Sequence, residues 1–372
     1  MTDRKPVVAV VFGTRPEAIK MAPVVLELLR HPGLEVRVIS TGQHRQMLEP
    51  ILERFRIPVE VEMDLMEPNQ SLFRLSSKAL AAFEAAFTQV KPDFLLVQGD
   101  TTTAFLGALA AFYAKIPVGH VEAGLRTDNK YFPFPEEVNR RMISVCADWN
   151  FCPTESNREN LLRENISPET ILVTGNTGVD ALLLTVGDSA TRKSPDEVLG
   201  AKRLVLVTLH RRESFGATLE GVFETIRELA LAHPDTEWVY PVHLNPNVQE
   251  PAKRILGEVP NIQLIAPMDY FDFALLMQRA YLILTDSGGV QEEAPTLGIP
   301  VLVLRNETER PEAVHTGVVK LVGTNPEDIR RETTRLLADS VERNRMGRAG
   351  NPYGDGKASA RIVGKIAEVL GV

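Results

Sequence analysis

Residues 99 to 126 hold two acidic clusters, Gly99-Asp100-Thr101-Thr102-Thr103 and His120-Val121-Glu122-Ala123-Gly124-Leu125-Arg126. Each follows a short apolar run, Phe94–Val97 and Ile116–Gly119, that reads as a strand. In open α/β sheets, ligands sit where strands end and helices begin. Two carboxylates delivered to one such edge suggest proton transfer more than packing. Asp100 has an equally plain alternative as the N-cap of a helix starting near Thr103. A third acid, Glu136, stands with Glu137 at a helix start behind Pro133 and Pro135. Glutamate in a first turn is ordinary dipole chemistry, and only Asp100 and Glu122 lift Glu136 above that reading.

The chain carries 41 basic and 49 acidic side chains, a net charge of −8, which disfavours nucleic acid as the main ligand. An acidic protein that binds a small anion must do so with local cations. Gly13-Thr14-Arg15-Pro16-Glu17-Ala18-Ile19-Lys20 follows the first strand and puts Arg15 and Lys20 near a helix N-terminus, where an anion is favoured. The segment lacks the G-x-G-x-x-G pattern of dinucleotide folds, so a nicotinamide cofactor is disfavoured. In the second half, Ser287-Gly288-Gly289 opens a helix after a strand ending near Thr285. Backbone N–H groups there can approach a phosphate closely, with Glu293 in reach of ribose hydroxyls. Ordinary capping by Ser287 is the competing reading. His210-Arg211-Arg212 ends another strand, placing His210 to meet a phosphate or a leaving group; His243 has a similar but weaker case.

These residues need elements to hold them. At 372 residues two domains are expected, and 44% hydrophobic with 24% charged residues is a globular composition. Strand-like runs recur at Val7–Phe12, Glu35–Ser40, Phe94–Val97, Pro117–Val121 and Asn150–Pro153. A second series follows at Leu204–Thr208, Glu237–Val242, Ile262–Ile265, Leu282–Thr285 and Pro300–Leu304. Continuous Val/Ile/Leu runs fit parallel strands covered on both faces. The expected fold is α/β: two doubly wound, Rossmann-like domains, 1–182 and 183–356, facing across a cleft that is the default ligand site. A linker is expected at Leu183–Leu199, and a last helix, Lys357–Leu370, is expected to pack back on the first domain. Cys146 and Cys152 read as small core residues, too few for a disulfide framework or a zinc site. Met1–Lys5 runs straight into a strand, which reads as no signal peptide. The longest apolar stretch, Phe105–Ala114, is too short to cross a bilayer. A reducing cytoplasm is the simplest home.

Taken together and in order, these segments resemble the non-hydrolysing UDP-N-acetylglucosamine 2-epimerases. The match runs through Gly13–Lys20, Thr41–Arg45, Gln98–Thr103, His120–Arg126, Pro135–Arg141, His210–Phe215, Pro241–Asn247 and Asp286–Glu293. The resemblance implies the two-domain glycosyltransferase-B architecture and a set of roles by position. Arg15, Lys20, Asp100, Glu122, Glu136 and His210 would surround the sugar and diphosphate. Ser287, Gly288 and Gly289 would hold phosphate, Glu293 the ribose, Arg310 the diphosphate or sugar side, and Phe273 the uracil. Met268 stands where family members can carry Gln, so base reading there would fall to backbone groups. Gln43, His44 and Gln46 match a segment associated with activation by a second UDP-N-acetylglucosamine.

The implied reaction inverts C2 by eliminating UDP to 2-acetamidoglucal and adding it back, with clustered carboxylates raising one another's pKa for acid and base work. It needs no cofactor and no metal. The resemblance also implies a homodimer and supply of a bacterial surface polysaccharide precursor. The alternatives are a glycosyltransferase of the same fold, a hydrolysing 2-epimerase and a non-catalytic UDP-sugar sensor.

Overall fold

The computed structural model describes residues 4–42, 45–67, 69–187, 202–308 and 310–372. The chain forms two compact units, one of residues 1–181 with 354–372 and one of residues 182–353.

In the first unit the strands are β1 (Val7–Phe12), β2 (Glu35–Ser40), β3 (Val61–Glu62), β4 (Phe94–Gln98), β5 (Val118–Val121), β6 (Trp149–Cys152) and β7 (Ile171–Val173). They pair in the order β3-β2-β1-β4-β5-β6-β7, every pair parallel. All residues of β1, β4 and β5 are buried, which is why their sequences run apolar without alternation. The second unit holds β8 (Arg203–Thr208), β9 (Thr236–Pro241), β10 (Ile262–Ile265), β11 (Ala280–Thr285), β12 (Val301–Val303) and β13 (Val319–Leu321). Their order is β10-β9-β8-β11-β12-β13, again parallel throughout.

The expected doubly wound α/β class is what forms, and each of the ten apolar runs overlaps a strand. The strands missed, β3, β7 and β13, are two or three residues long and carry too little apolar sequence to stand out. The expected linker needs correction. Residues 183–187 belong to a helix, Thr177–Gly187, anchored by buried Val179, Leu182 and Val186 at helical spacing; residues 188–199 lie outside the described residues. Phe105–Ala114 falls in the helix Thr102–Tyr113, a core helix, and its C-cap Ala114. Among the described residues no helix is long and apolar enough to cross a membrane.

Each sheet reverses direction at one place. After β1 the chain goes to β2 on one side, while β4 lies on the other. After β8 it goes to β9, while β11 lies opposite. At such a reversal the loops leaving two neighbouring strands diverge and leave room at the strands' carboxyl ends. Cys152 is buried in the first unit's core, where burial pushes its thiol up to about 12, and half-buried Cys146 packs on a neighbouring core cluster.

Candidate active site

The reversal in the first unit is lined by the loops after β1 and β4, and the loop after β5 lies next to them. Arg15 is the first residue of the helix Arg15–Arg30, whose cap is Thr14. Glu17 completes a capping box and is fully buried, accepting N–H bonds from Gly13 (2.9 Å) and Thr14 (2.7 Å). Its other oxygen accepts from the Thr101 hydroxyl at 2.6 Å, which ties the β1 loop to the β4 loop. Burial pushes the Glu17 carboxyl above the usual range. Sequence reasoning quoted Glu17 but gave it no task; the signal was a glutamate three residues after a threonine cap.

Asp100 is not the helix cap. Thr101 takes that place, its hydroxyl accepting from the Ala104 N–H at 3.0 Å. That leaves the Asp100 carboxylate available, and it pairs with Arg140 at 2.5 Å while Asn139 donates to its backbone carbonyl at 2.9 Å. Arg140 and Asn139 belong to the helix Glu136–Cys146, so this helix is bound to the β4 loop. Glu136 opens the helix, half-buried and in no ion pair among the described residues. Its neighbour Glu137 is fully buried and structural, accepting from the backbone of Thr127 (3.1 Å) and Asp128 (3.3 Å) and from Arg141.

Glu122 follows β5 with φ of +69°, a left-handed conformation that a residue with a Cβ adopts at a cost. Lys20 pairs with one of its oxygens and the Gln98 amide donates to the other. Gln98, buried at the end of β4, was not singled out from the sequence. Asp100 and Glu122 each face a cation, Arg140 and Lys20. Gly99, with φ of +71°, bends the β4 loop over this group; a Cβ there would lie 3.7 Å from Glu122 Oε2. His120, fully buried in β5, has Nε2 at 2.7 Å from the Gly99 carbonyl oxygen, and burial lowers its pKa to about 3.

The reversal in the second unit is organised by Asp286, which sequence reasoning also passed over although it stands at a strand end. Its buried carboxylate accepts the N–H groups of His210 and Arg211, both at 2.8 Å, bridging the loops after β11 and β8. His210 Nδ1 lies 3.1 Å from the other Asp286 oxygen, and its ring, 38% exposed, stacks on His243 at 5.8 Å. Ser287 precedes the short helix Gly288–Glu293 but its hydroxyl makes no capping bond, against the ordinary capping reading. A Cβ on Gly288 would lie 3.7 Å from a guanidinium nitrogen of Arg211 and 3.7 Å from one of Arg310. Two cations thus flank a loop where backbone can come close to an anion, and Arg310 is held in turn by Glu292. Gly289 is exposed and Glu293, the last residue of the helix, is half-buried. Phe273 is half-buried on the helix Tyr270–Gln278 leading into β11, with Met268 just before that helix's cap. Gln43 and His44 lie outside the described residues; Gln46 belongs to the helix Arg45–Phe55.

Among the described residues, no group of three or more His, Cys, Asp or Glu is arranged to hold a metal ion. What the geometry offers is acid and base chemistry in the first unit and anion binding in the second.

The family model for UDP-N-acetylglucosamine 2-epimerase matches residues 26–367. The chain belongs to the UDP-N-acetylglucosamine 2-epimerase family. A Bacillus subtilis UDP-N-acetylglucosamine 2-epimerase is 51% identical over 356 residues, covering 96% of this chain and 93% of the relative. Among solved structures, a candidate epimerase of the same kind from Listeria monocytogenes superposes with a TM-score of 0.94 at 48% identity, covering 99% and 97% of the two chains. The Neisseria meningitidis UDP-GlcNAc 2-epimerase, solved bound to UDP-GlcNAc, gives 0.87 at 46% identity over 97% and 100%. Family membership over nearly the whole chain accounts for the order in which the motifs occur.

Proposed function

We propose that this protein interconverts UDP-N-acetylglucosamine and its C2 epimer, UDP-N-acetylmannosamine, without net hydrolysis. The observation that carries the reading is the pair of carboxylates on adjacent strand ends, Asp100 with Arg140 and Glu122 with Lys20 and Gln98, one of them on left-handed backbone. Nothing in the packing of β4 and β5 requires such a pair.

C2 of this sugar has no adjacent carbonyl, so its proton is not acidic enough for simple enolisation. In the proposed path the C1–O bond to the diphosphate breaks as a carboxylate takes the C2 proton. The C–H electron pair forms the C1=C2 bond and UDP leaves with the C1–O pair, in an anti elimination that gives 2-acetamidoglucal. Delivery of a proton to the opposite face of C2 and return of UDP to C1 then complete the inversion. Asp100, Glu122 and Glu136 are the groups for the two proton transfers. Charge grows on the diphosphate as the bond breaks, and Arg211, Arg310, His210, Arg15 and the backbone at Ser287–Gly289 are the groups to stabilise it. Glu293 and Phe273 are assigned to ribose and uracil. Activation by a second substrate molecule through Gln43, His44 and Gln46, a cytoplasmic site of action and supply of polysaccharide precursors belong to the same reading. A homodimer fits the exposed apolar side chains of Phe112, Tyr113, Met142 and Val145 on the neighbouring helices Thr102–Tyr113 and Glu136–Cys146, and sedimentation velocity tests it.

Incubation with UDP-N-acetylglucosamine alone in deuterium oxide, followed by NMR, tests the chemistry. Deuterium should enter C2 of both nucleotide-linked epimers. Asp100→Asn and Glu122→Gln should each lower kcat by about 10²–10⁴-fold. Products without C2 deuterium would exclude the mechanism, free N-acetylmannosamine would indicate a hydrolase, and dependence on an added acceptor would indicate a glycosyltransferase.

A further inference from the structure

We propose that His120 is a positioning residue that sets the spacing of the Asp100 and Glu122 carboxylates through its hydrogen bond to Gly99. The inference rests on the function proposed above, in which those two acids act on one substrate.

His120 lies within β5, beside β4, with its ring fully buried. A carbonyl oxygen only accepts, so the 2.7 Å contact to Gly99 puts the proton on Nε2. Nδ1 is then an acceptor, and it is buried without a partner among the described residues. A side chain that served packing alone would do better without that nitrogen, since an unpaired buried polar atom weakens the fold. What the imidazole supplies and an apolar group cannot is the donor to Gly99.

That bond sits at a particular place. It joins the two backbones one residue before Asp100 and two residues before Glu122. Gly99 and Glu122 both occupy left-handed backbone, at φ of +71° and +69°, so neither turn is held by regular pairing alone. The next residues of the β4 loop are pinned separately, Asp100 by Asn139 and Arg140, Thr101 by Glu17. Gly99 instead is held from the strand that carries Glu122, by its own N–H to the Val121 carbonyl at 3.0 Å and by the His120 ring at its carbonyl, and the ring is the side-chain part of this tie between the two acids. Burial, together with the neighbouring cations Arg126 and Arg140, opposes protonation of the ring, which keeps it a fixed donor rather than a proton carrier at neutral pH.

The test compares wild type with His120→Leu, His120→Gln and His120→Asn. The readouts are kcat, KM for UDP-N-acetylglucosamine, the thermal midpoint and C2 deuterium exchange. The Gln amide can reach the same carbonyl, the Asn amide stops a methylene short, and Leu has no donor. We expect kcat to fall about 100-fold in the Leu variant with KM nearly unchanged, and Gln to recover at least about tenfold of that loss. Wild-type kcat in a folded Leu variant would overturn the proposal. If Leu does not fold, the comparison moves to Gln and Asn, where Gln should retain kcat and Asn lose it; equal activities overturn the proposal. A wild-type enzyme that exchanges no C2 proton would defeat the underlying function instead, whatever the variants do.

Discussion

Buried ionisable side chains around the first unit's strand ends carry opposite pH signatures. His120 has its pKa lowered from 6.5 to about 3 by burial, so between these values the unfolded chain binds a proton that the folded chain does not. Its contribution is complete above pH 6.5 and is lost as pH falls, at up to about 1.4 kcal/mol per pH unit. Glu17 runs the other way. Its carboxyl is raised, the folded state holds the extra proton, and its contribution is lost as pH rises through the window above 4.5. Urea denaturation at pH 7 and pH 5 separates the two. Wild type should lose about 2 kcal/mol more than His120→Gln over that interval. Equal losses would show that the ring titrates normally in the fold.

Elements matter here through their ends. Each reversal joins a strand's carboxyl end to a helix start, and one buried acid braces each pair of loops: Glu17 between the β1 and β4 loops, Asp286 between the β8 and β11 loops. The two units therefore use the same device for different work, one presenting carboxylates and the other backbone and guanidinium groups. Gly288 tests the second. A Cβ there meets the two arginines only at ordinary contact distance, so Gly288→Ala should fold with nearly unchanged thermal stability. In the function proposed above, the methyl would nevertheless stand where a phosphate oxygen approaches the backbone. UDP affinity measured by calorimetry should drop at least about tenfold, or about 1.4 kcal/mol. Unchanged affinity would move the phosphate away from this loop.

At the scale of the molecule the chain leaves the first unit after residue 181 and returns at residue 354. The return is fastened by Asp180, whose buried carboxylate accepts from the backbone N–H groups of Ala358 (3.2 Å) and Ser359 (2.8 Å) and from the Ser359 hydroxyl (2.5 Å). This caps the last helix, Ala358–Leu370, and seats its Ile362, Val363 and Ile366 in the interior of the first unit. Asp180→Ala should destabilise that unit by about 2 kcal/mol, because charge-assisted bonds to buried donors are lost. The check is whether the thermal transition of that unit moves down, and a shift within error would dismiss the clasp.

The sequence alone determined what repeats or clusters locally. Apolar runs without alternation required covered parallel strands, and acids or Ser-Gly-Gly placed just after such runs had to fall in the loops at strand ends, because strand ends are where loops begin. It also carried the ordered motifs that mark the family. Tertiary structure decided the partners. Nothing local to Lys20 says that its charge meets Glu122, 102 residues away, nor that Arg140 meets Asp100. Glu17, Gln98 and Asp286 looked unremarkable because their task is to join loops that only the strand order brings side by side. Ionisation follows from such neighbours and from burial, and both are properties of the folded chain.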